Sequence, residues 1–349
     1  MAVADTTALG PEARRSDGGA YLRARFGTLL DWMVVLWIFL GSIVITEPAP
    51  YELVFFLVLT VSAFAGGFAF HKQTLGLLVI WALFIPFAVI GAFQPKFTAV
   101  TDALIFQTVT IFLFFTAVWV ANYVADRPQE RMRLIVGAYI VTATISALLG
   151  ALGYLGVIPG QDLFTRYGRA KALFNDPNVF APFLILPAMY ALQRVLLATP
   201  RRAAIAAGIF MVISLGVFAS FSRAAWAHLI ASGLGVYLLC FFGVANAKEK
   251  VRMLILALTG TLLMVVAIGG LLSIPKVQEL FEVGAQAQSY DEGDSGRFGR
   301  QGFAFELALQ NPFGIGPYEF RNLRVREEPH DSYVNVLHVY GWGGGLMFV

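Results

Sequence analysis

Charged residues are scarce in this chain of 349 amino acids, of which Asp, Glu, Lys and Arg together make up 13%. Soluble domains usually carry about 25% of these residues. The shortage excludes an ordinary soluble globular protein. The 58% of hydrophobic residues indicate a polytopic membrane protein instead.

Cysteine is nearly absent as well. The single Cys240 excludes an internal disulfide and a metal site built from several cysteines. A continuous basic stripe is also missing, because Lys and Arg fall in short clusters between apolar runs. This distribution is typical of membrane topology and argues against nucleic-acid binding, despite a formal charge of +3.

Long apolar runs dominate what the sequence does contain. We predict an all-α fold with about ten transmembrane helices, since a spanning helix needs roughly 20 apolar residues. The first run is too long for a signal-peptide core and is interpreted as an uncleaved span. The predicted spans are 26–45, 51–70, 74–93, 101–123, 134–157, 179–198, 203–220, 224–244, 253–274 and 332–349.

The placement of Lys and Arg predicts the orientation. If residues 1–25 form a cytoplasmic tail, most basic residues of the short loops share its side, as the positive-inside rule requires. Residues 26–274 then form a bundle of nine helices, 275–331 a periplasmic loop and 332–349 a tenth helix. The loop 158–178 is also predicted to be periplasmic. Loops as long as 275–331 are usually functional or disordered.

The long loop contains its own order signals. Arg297–Gln310 is predicted to be an amphipathic helix, because apolar residues recur in it at helical spacing. Asn311-Pro312 should end the helix, and Gly314-Ile315-Gly316-Pro317 should form a turn. The apolar residues of the helix are Phe298, Phe305 and Leu309.

Several basic residues lie on the predicted outer face, against the topological bias. An anionic ligand would explain them, because arginine binds phosphate through paired donors. Other roles stay open: Arg166 and Lys171 could be solvated, Arg223 could pair with an acidic neighbour, and Arg297 could order its loop. Asp176-Pro177 favours a helix start. The basic positions are Arg166, Arg169, Lys171, Arg223, Arg297 and Arg300.

His330 lies where the long loop meets the last apolar run. A neutral imidazole there could take a proton from an acceptor hydroxyl. It could equally be a helix-start histidine bonded to the backbone. His228 and His338 lie deeper in apolar runs and are expected to be satisfied core groups.

Four segments in order resemble motifs of the O-antigen ligase and polymerase superfamily. The resemblance extends over residues 130–349 or so. The segments are Lys171-Ala-Leu-Phe-Asn-Asp-Pro-Asn178, Phe221-Ser-Arg223-Ala-Ala, Ser295-Gly-Arg297 followed by Asn311-Pro-Phe-Gly314-Ile-Gly316, and His330-Asp331 followed by Gly341-Trp-Gly-Gly344.

The resemblance implies a glycosyltransferase bundle of the GT-C type in the bacterial inner membrane, without a metal or other cofactor. Such enzymes move a glycan from undecaprenyl pyrophosphate to lipid A-core or to a lipid-linked glycan on the periplasmic face. His330 and Arg297 would be catalytic. Arginine can stabilise charge on the leaving pyrophosphate. The residues implied in pyrophosphate binding are Arg169, Arg223, Arg300 and Arg166.

The chain departs from the superfamily pattern at two positions. Asp331 stands where Asn, Ser or Gln is usual, and we expect it to raise the pKa of His330. Leu173 occupies a place often held by Gly. Members also continue for about two helices beyond the histidine helix, so we expect further helices after Val349.

The main competing hypotheses are a polysaccharide transporter or flippase and a non-catalytic component of an export complex. Transporters place ionisable groups within the membrane, whereas the predicted spans contain few, with Asp31 and Asp102 near their ends. This favours chemistry at the outer surface. The motifs do not distinguish a ligase from a polymerase.

Overall fold

The computed structural model describes residues 11–46, 48–65, 71–273, 293, 296–323, 327–329 and 331–348. Helices account for nearly all of the regular structure in these ranges. The helices are α1 Pro11–Leu40, α2 Pro50–Phe64, α3 Leu75–Ala92, α4 Val100–Asp126, α5 Pro128–Tyr154, α6 Gln161–Phe164, α7 Pro177–Leu197, α8 Pro200–Ala219, α9 Arg223–Leu239, α10 Ala247–Leu272, α11 Arg297–Gln310, α12 Phe320–Leu323 and α13 Ser332–Phe348.

Four shorter elements complete the fold in these ranges. A 3₁₀ turn, Lys72–Thr74, precedes α3, and a π-helical turn, Cys240–Val244, extends α9. The strands β1 Thr165–Arg166 and β2 Arg169–Ala170 pair antiparallel. The prediction of an all-α membrane protein is therefore confirmed at the level of fold class.

Six helices of the described chain are long and apolar enough to cross a membrane. They coincide with the predicted runs from 74–93 to 224–244. The runs 26–45, 51–70, 253–274 and 332–349 are not among the six. Each of these four lies mostly within a helix, but α2 has only 15 residues and α13 only 17. The six spans are Lys72–Ala92, Val100–Asp126, Pro128–Tyr154, Pro177–Leu197, Pro200–Ala219 and Arg223–Val244.

The chain divides into two compact units that are each discontinuous in sequence. The first comprises Met1–Phe68 and Pro128–Val265, and the second Ala69–Arg127 and Val266–Val349. No sequence signal indicates this division, which cuts across the predicted nine-helix bundle. Residues 11–25 belong to α1, so part of the predicted tail is helical.

Small residues let the helices of the first unit approach closely. Gly216 of α8 lies against α5 so tightly that an added Cβ would come within 2.8 Å of the Cβ of Ala147. Such contacts are typical of membrane helix packing. Phe174, Phe180 and Leu184 fill the adjacent core. An ion pair of 3.7 Å between Arg131 and Asp31 joins α5 to α1.

The core of the second unit forms where α3, α4 and α13 meet. The ring of Phe84 packs edge-on against Tyr340 with centroids 5.0 Å apart. The Tyr340 hydroxyl donates to Thr110 Oγ1 at 3.0 Å. These contacts hold α13, and the segment that enters it, against the two neighbouring helices.

Candidate active site

A short hairpin places two of the predicted arginines side by side in the first unit. Arg166 of β1 pairs directly with Arg169 of β2. The two residues that connect the strands, Tyr167 and Gly168, have φ values of 55° and 68°. Positive φ at both positions is the type I′ turn that suits a two-residue hairpin.

Arg169 forms hydrogen bonds to the end of α8 and to the start of α7. Its Nε donates to the carbonyl of Ser220, at the end of α8, at 2.7 Å. Its Nη2 donates to Asn178 Oδ1, in the first turn of α7, at 2.9 Å. These partners orient the guanidinium without cancelling its positive charge.

Arg166 is held in a similar way by its own loop. Its Nη1 donates to the Asn175 carbonyl at 2.9 Å and to Asn175 Oδ1 at 3.1 Å. The guanidinium also lies 5.0 Å from the centre of the Tyr167 ring. Asn175, Asn178 and the Ser220 carbonyl, which help to order the two arginines, are uncharged.

Lys171 is buried rather than solvated, with 8% of its surface exposed. Its Nζ donates to the carbonyls of Leu163 at 2.7 Å and Phe174 at 3.0 Å. Burial lowers the pKa of Lys171, and the nearby Arg166 lowers it further. The structure thus gives Lys171 a role other than the two left open by the sequence, anion binding and solvation: it supports the loop.

The helix start predicted at Asp176-Pro177 is confirmed. Asp176 Oδ1 accepts a hydrogen bond from Asn178 N at 2.7 Å, and Pro177 occupies the first helical position. This is the usual N-cap arrangement. The cap uses only the backbone amide of Asn178, and the Asn178 side chain accepts the hydrogen bond from Arg169.

Arg223 is the first residue of α9, and its side chain is exposed. The residue two positions earlier, Phe221, has a φ of 49°, a conformation that non-glycine residues rarely adopt. A cation in the first turn of a helix is unfavourable, because the macrodipole is positive there. An anion would be stabilised both by this helix end and by the guanidinium.

In the second unit, the predicted helix Arg297–Gln310 is confirmed, and it ends at Asn311 as expected. Its buried face consists of Arg300, Ala304 and Ala308. The three large apolar residues lie on the other side and are exposed at 66%, 47% and 56%: Phe298, Phe305 and Leu309. The regular spacing of these residues thus predicted the helix but not the face that packs.

The turn after α11 fits against a break in α13. Gly341 has non-helical backbone angles, with φ 72° and ψ −173°. The carbonyls of His338 and Val339 accept hydrogen bonds of 2.7 and 3.2 Å from Ile315 N and Gly316 N. Trp342 N in turn donates to the Pro312 carbonyl at 2.9 Å. Two of the motif segments are therefore brought together, residue against residue.

Glycine is required at this junction by close approach as well as by φ. An added Cβ on Gly314 would overlap the Val339 backbone, and one on Gly341 would overlap the Pro312 backbone. Gly314 also has a φ of 79°. The Trp342 indole donates to the Ala308 carbonyl at 2.7 Å, which ties α11 to the same junction.

Arg297 and Arg300 begin α11 in different environments. Arg300 is 5% exposed and forms an ion pair with Glu327. Arg297 is half-buried, and its Nε has no hydrogen-bond partner within the ranges that the structure describes. The charge of Arg300 is therefore compensated by a carboxylate, which favours Arg297 for direct contact with an anionic ligand.

Glu319 was not anticipated from the sequence. It is 3% exposed, and its carboxylate accepts hydrogen bonds from the backbone amides of Lys96, Phe97 and Thr98 at 3.0 to 3.2 Å. It fixes the turn before α4 to the segment after the Gly314 turn. A lone glutamate in a polar loop gives no sequence signal of such a contact 221 to 223 residues away.

Asp331 caps α13. Its Oδ1 accepts a hydrogen bond from Val334 N at 2.9 Å. Asn and Ser are equally good caps, so the departure from the usual residue preserves the helix start. His330 and Ser295 lie outside the described residues, and the expected effect of Asp331 on the pKa of His330 stays a prediction.

The two histidines of the apolar runs differ from each other. His338 is fully buried, as expected for a core group, but its Nε2 lacks a hydrogen-bond partner in the described part of the chain. His228 is exposed on α9, so the prediction of a core residue was wrong there. A span with one face toward lipid need not bury every residue within it.

The family model for O-antigen ligase (Wzy_C) matches residues 206–349. The chain is similar to the O-antigen ligases. The match covers about two fifths of the chain and includes Arg223, Arg297, Arg300, His330 and the Gly314–Gly341 junction. It confirms the resemblance over this region, whereas the Lys171–Asn178 segment lies before it.

No protein of curated function and no solved structure matches the chain significantly. The O-antigen ligase match therefore supports a glycosyl-transferring membrane enzyme of the ligase or polymerase type in general terms. It also implies lipid-linked glycan substrates as a class.

Proposed function

We propose that the protein transfers a glycan from undecaprenyl pyrophosphate to an acceptor hydroxyl on the periplasmic face of the bacterial inner membrane. The acceptor is either lipid A-core or another lipid-linked glycan. The proposal includes about ten spans with a cytoplasmic N-terminus, as the apolar runs and the positive-inside rule predict.

The observation that carries the proposal is the Gly314–Gly341 junction. It joins the helix that begins with Arg297 to the helix that begins directly after His330 and Asp331. Both motif segments lie within the residues matched by the O-antigen ligase family. A junction that tolerates no added Cβ fixes the start of α13 relative to α11.

Arg169, Arg223 and Arg297 are proposed to bind the pyrophosphate, with Arg166 and Arg300 in supporting positions. Arg169 supports this role because its hydrogen bonds to the Ser220 carbonyl and to Asn178 fix its guanidinium between the end of α8 and the start of α7. In the transfer step, the acceptor oxygen attacks the anomeric carbon and undecaprenyl pyrophosphate leaves. Guanidinium groups stabilise the charge that develops on the leaving oxygen.

His330 is proposed to accept the proton of the attacking hydroxyl. An imidazole has a pKa near neutrality and suits this role. Arg297 is the second residue to which a catalytic role is assigned, because its contact with the leaving group strengthens in the transition state.

The test uses the full-length gene in its own host, with His330→Ala, Arg297→Ala and the control Arg201→Ala. Arg201 is exposed near the start of α8, on the predicted cytoplasmic side. Surface glycan should be lost with the first two changes and retained with the control, at equal protein levels in the membrane. Normal surface glycan with His330→Ala would refute the site.

A gel of lipopolysaccharide from a deletion strain separates the two reactions. Loss of all capped chains, with accumulation of lipid-linked polymer, identifies a ligase. Caps of a single repeat identify a polymerase. Unchanged lipopolysaccharide would direct the search to another exported polysaccharide.

A further inference from the structure

One side of α11 carries a stripe of large apolar side chains that the described residues leave exposed. Phe298, Phe305 and Leu309 recur at helical spacing on this side. The small Ala304 and Ala308 are buried on the other side. A surface helix of a soluble domain turns its large apolar residues toward the core. The arrangement in α11 therefore indicates an apolar surrounding outside the core of the second unit.

Contacts within the second unit fix the level of the C-terminal end of α11. The carbonyl of Pro312, two residues after α11, accepts a hydrogen bond from Trp342 N at 2.9 Å. Gly316 lies so close to α3 that an added Cβ would come within 2.6 Å of the Gly91 carbonyl oxygen. Gly91 is in the last turn of α3, at the end of one of the six apolar spans. The end of α11 is therefore at the level where hydrocarbon gives way to lipid headgroups.

Exposed aromatic side chains are concentrated at this level. Phe93 and Phe97 belong to the turn between α3 and α4, and Phe313 follows the end of α11. The ring of Trp342 is exposed, although its indole N–H donates to the Ala308 carbonyl. Tryptophan in such a position is typical of a membrane interface. Phenylalanine and leucine are the usual apolar residues of helices that lie in that interface.

Basic groups accompany the aromatic ones. Lys96 is exposed in the turn between α3 and α4. The carboxylate of Glu319 joins this turn to the start of α12, where Arg321 is exposed. Lipid phosphates are anionic and lie just outside the hydrocarbon, so apolar and basic side chains at one level match the two layers of a lipid surface.

A lipid surface fits the stripe better than a second copy of the chain does. Ile90 and Val100 are exposed at the adjoining ends of α3 and α4, so the apolar surface of these spans extends up to the same level. Phe305, Leu309 and Phe313 are each about half exposed and present roughly 300 Å² together, since a large aromatic side chain buries about 150–250 Å². A stable protein interface needs about 800 Å² from each partner, whereas a fluid lipid surface has no such minimum.

We propose that α11 is an interfacial helix whose exposed side, with Phe305, Leu309 and Phe313, inserts into the lipid leaflet at the adjoining ends of α3 and α4. The occupant is bulk membrane lipid, with acyl chains at the apolar side chains and phosphate groups at Lys96 and Arg321. The inference concerns the placement of α11 and does not depend on glycan transfer.

The first test places a fluorescent label on either side of α11 in the full-length protein. Cys240→Ala removes the native thiol, and Phe305→Cys, Leu309→Cys and the controls Glu306→Cys and Gln310→Cys each carry the label. The nanodiscs contain phosphatidylethanolamine and phosphatidylglycerol without polyprenyl lipid. Labels on the apolar side should be quenched by lipids with spin-labelled acyl chains and should lose quenching by iodide. The two control labels should show the reverse, at equal melting temperatures.

Two outcomes of this test would overturn the proposal. Iodide quenching as strong at Phe305→Cys and Leu309→Cys as at the two controls would show that the stripe faces water. Protection of the same two labels from both quenchers would show that protein covers the stripe, either another part of the chain or a second copy.

The second test uses the unsubstituted protein in the same nanodiscs. Hydroxyl radicals oxidise side chains that contact water, and each rate is divided by that of the same residue in an unstructured peptide. Phe305 and Phe313 should lose most of their reactivity despite their exposure on the protein, whereas Tyr167, exposed in the hairpin of the first unit, should retain it. Oxidation of Phe305 at the rate of the free peptide would contradict the proposal independently of any substitution.

Discussion

The hairpin arginines of the first unit and the paired arginine of the second unit are held by opposite means. Arg169 is oriented by a carbonyl and an amide oxygen, whereas Arg300 is paired with the carboxylate of Glu327. A hydrogen bond to a neutral oxygen orients a guanidinium without itself neutralising the charge. A carboxylate fixes it and cancels the charge, because the ion pair has little net field. The first arrangement suits binding of an anion and the second suits support of a loop.

The largest expected effect on stability comes from substitutions at the Gly314–Gly341 junction of the second unit. Gly314→Ala or Gly341→Ala should destabilise the protein by about 3 kcal/mol or more, since both overlap and positive φ are penalised. Thermal unfolding in detergent measures the loss.

Gly302→Ala is the matched control for this junction. Gly302 lies within α11, and an added Cβ there meets nothing within 4 Å. Alanine at that position should be neutral or stabilise by roughly 0.5–1 kcal/mol. A control as harmful as Gly314→Ala would show that α11 itself, and not the junction, is sensitive.

Exchanging the arginines tests the comparison directly. Arg169→Ala should lower glycan transfer by about 100-fold, since both position and charge are lost. Arg169→Lys keeps the charge but not the fork of donors, and should recover only part of the rate. Arg300→Ala should lower the melting temperature clearly and leave most of the glycan-transfer rate. Loss of transfer in Arg300→Ala at a normal melting temperature would contradict the assignment of Arg300 to loop support.

Glu319→Gln should have an intermediate effect on stability. The amide that replaces one carboxylate oxygen cannot accept, so part of the contact with the Lys96–Thr98 amides is lost. Hydrogen bonds to a charged group contribute about 1.5–3 kcal/mol each. A drop of that order in the free energy of unfolding is expected, and Glu306→Gln on the exposed side of α11 is the control.

The smallest effect concerns the pH dependence of the first unit. The pKa of Lys171 is lowered in the folded protein from its ordinary value of 10.5. The unfolded chain therefore binds more protons between the two values, and stability rises with pH in that interval. Lys171→Met should remove this slope in unfolding measurements over the pH interval just below the ordinary value of 10.5. An unchanged slope would assign the pH dependence to another group.

Local signals predicted the helices well where a cap or breaker stands beside a periodic run. α7 begins at the predicted Asp176-Pro177, and α11 spans Arg297–Gln310 before Asn311. The face of α11 that packs was not predicted, because its buried residues are Arg300, Ala304 and Ala308 and not the large apolar ones. Which face of a helix packs depends on the neighbouring helix, and the local sequence does not reveal that neighbour.

Long-range contacts account for most of what was missed at the candidate site. The glycines at 314 and 341 were recognised as motif residues, but their mutual contact depends on the break in α13. Glu319 and Lys171 are buried through partners on other segments. The division into two units arises from packing of segments far apart in sequence, for which no local pattern exists.

The break at Gly341 also has a consequence for biogenesis. The carbonyls of His338 and Val339 accept hydrogen bonds from Ile315 and Gly316, which lie outside α13. A lipid-exposed helix cannot leave such carbonyls unpaired. We therefore expect α13 to enter the membrane stably only together with the preceding segment, because Ile315 and Gly316 supply the donors for these two carbonyls.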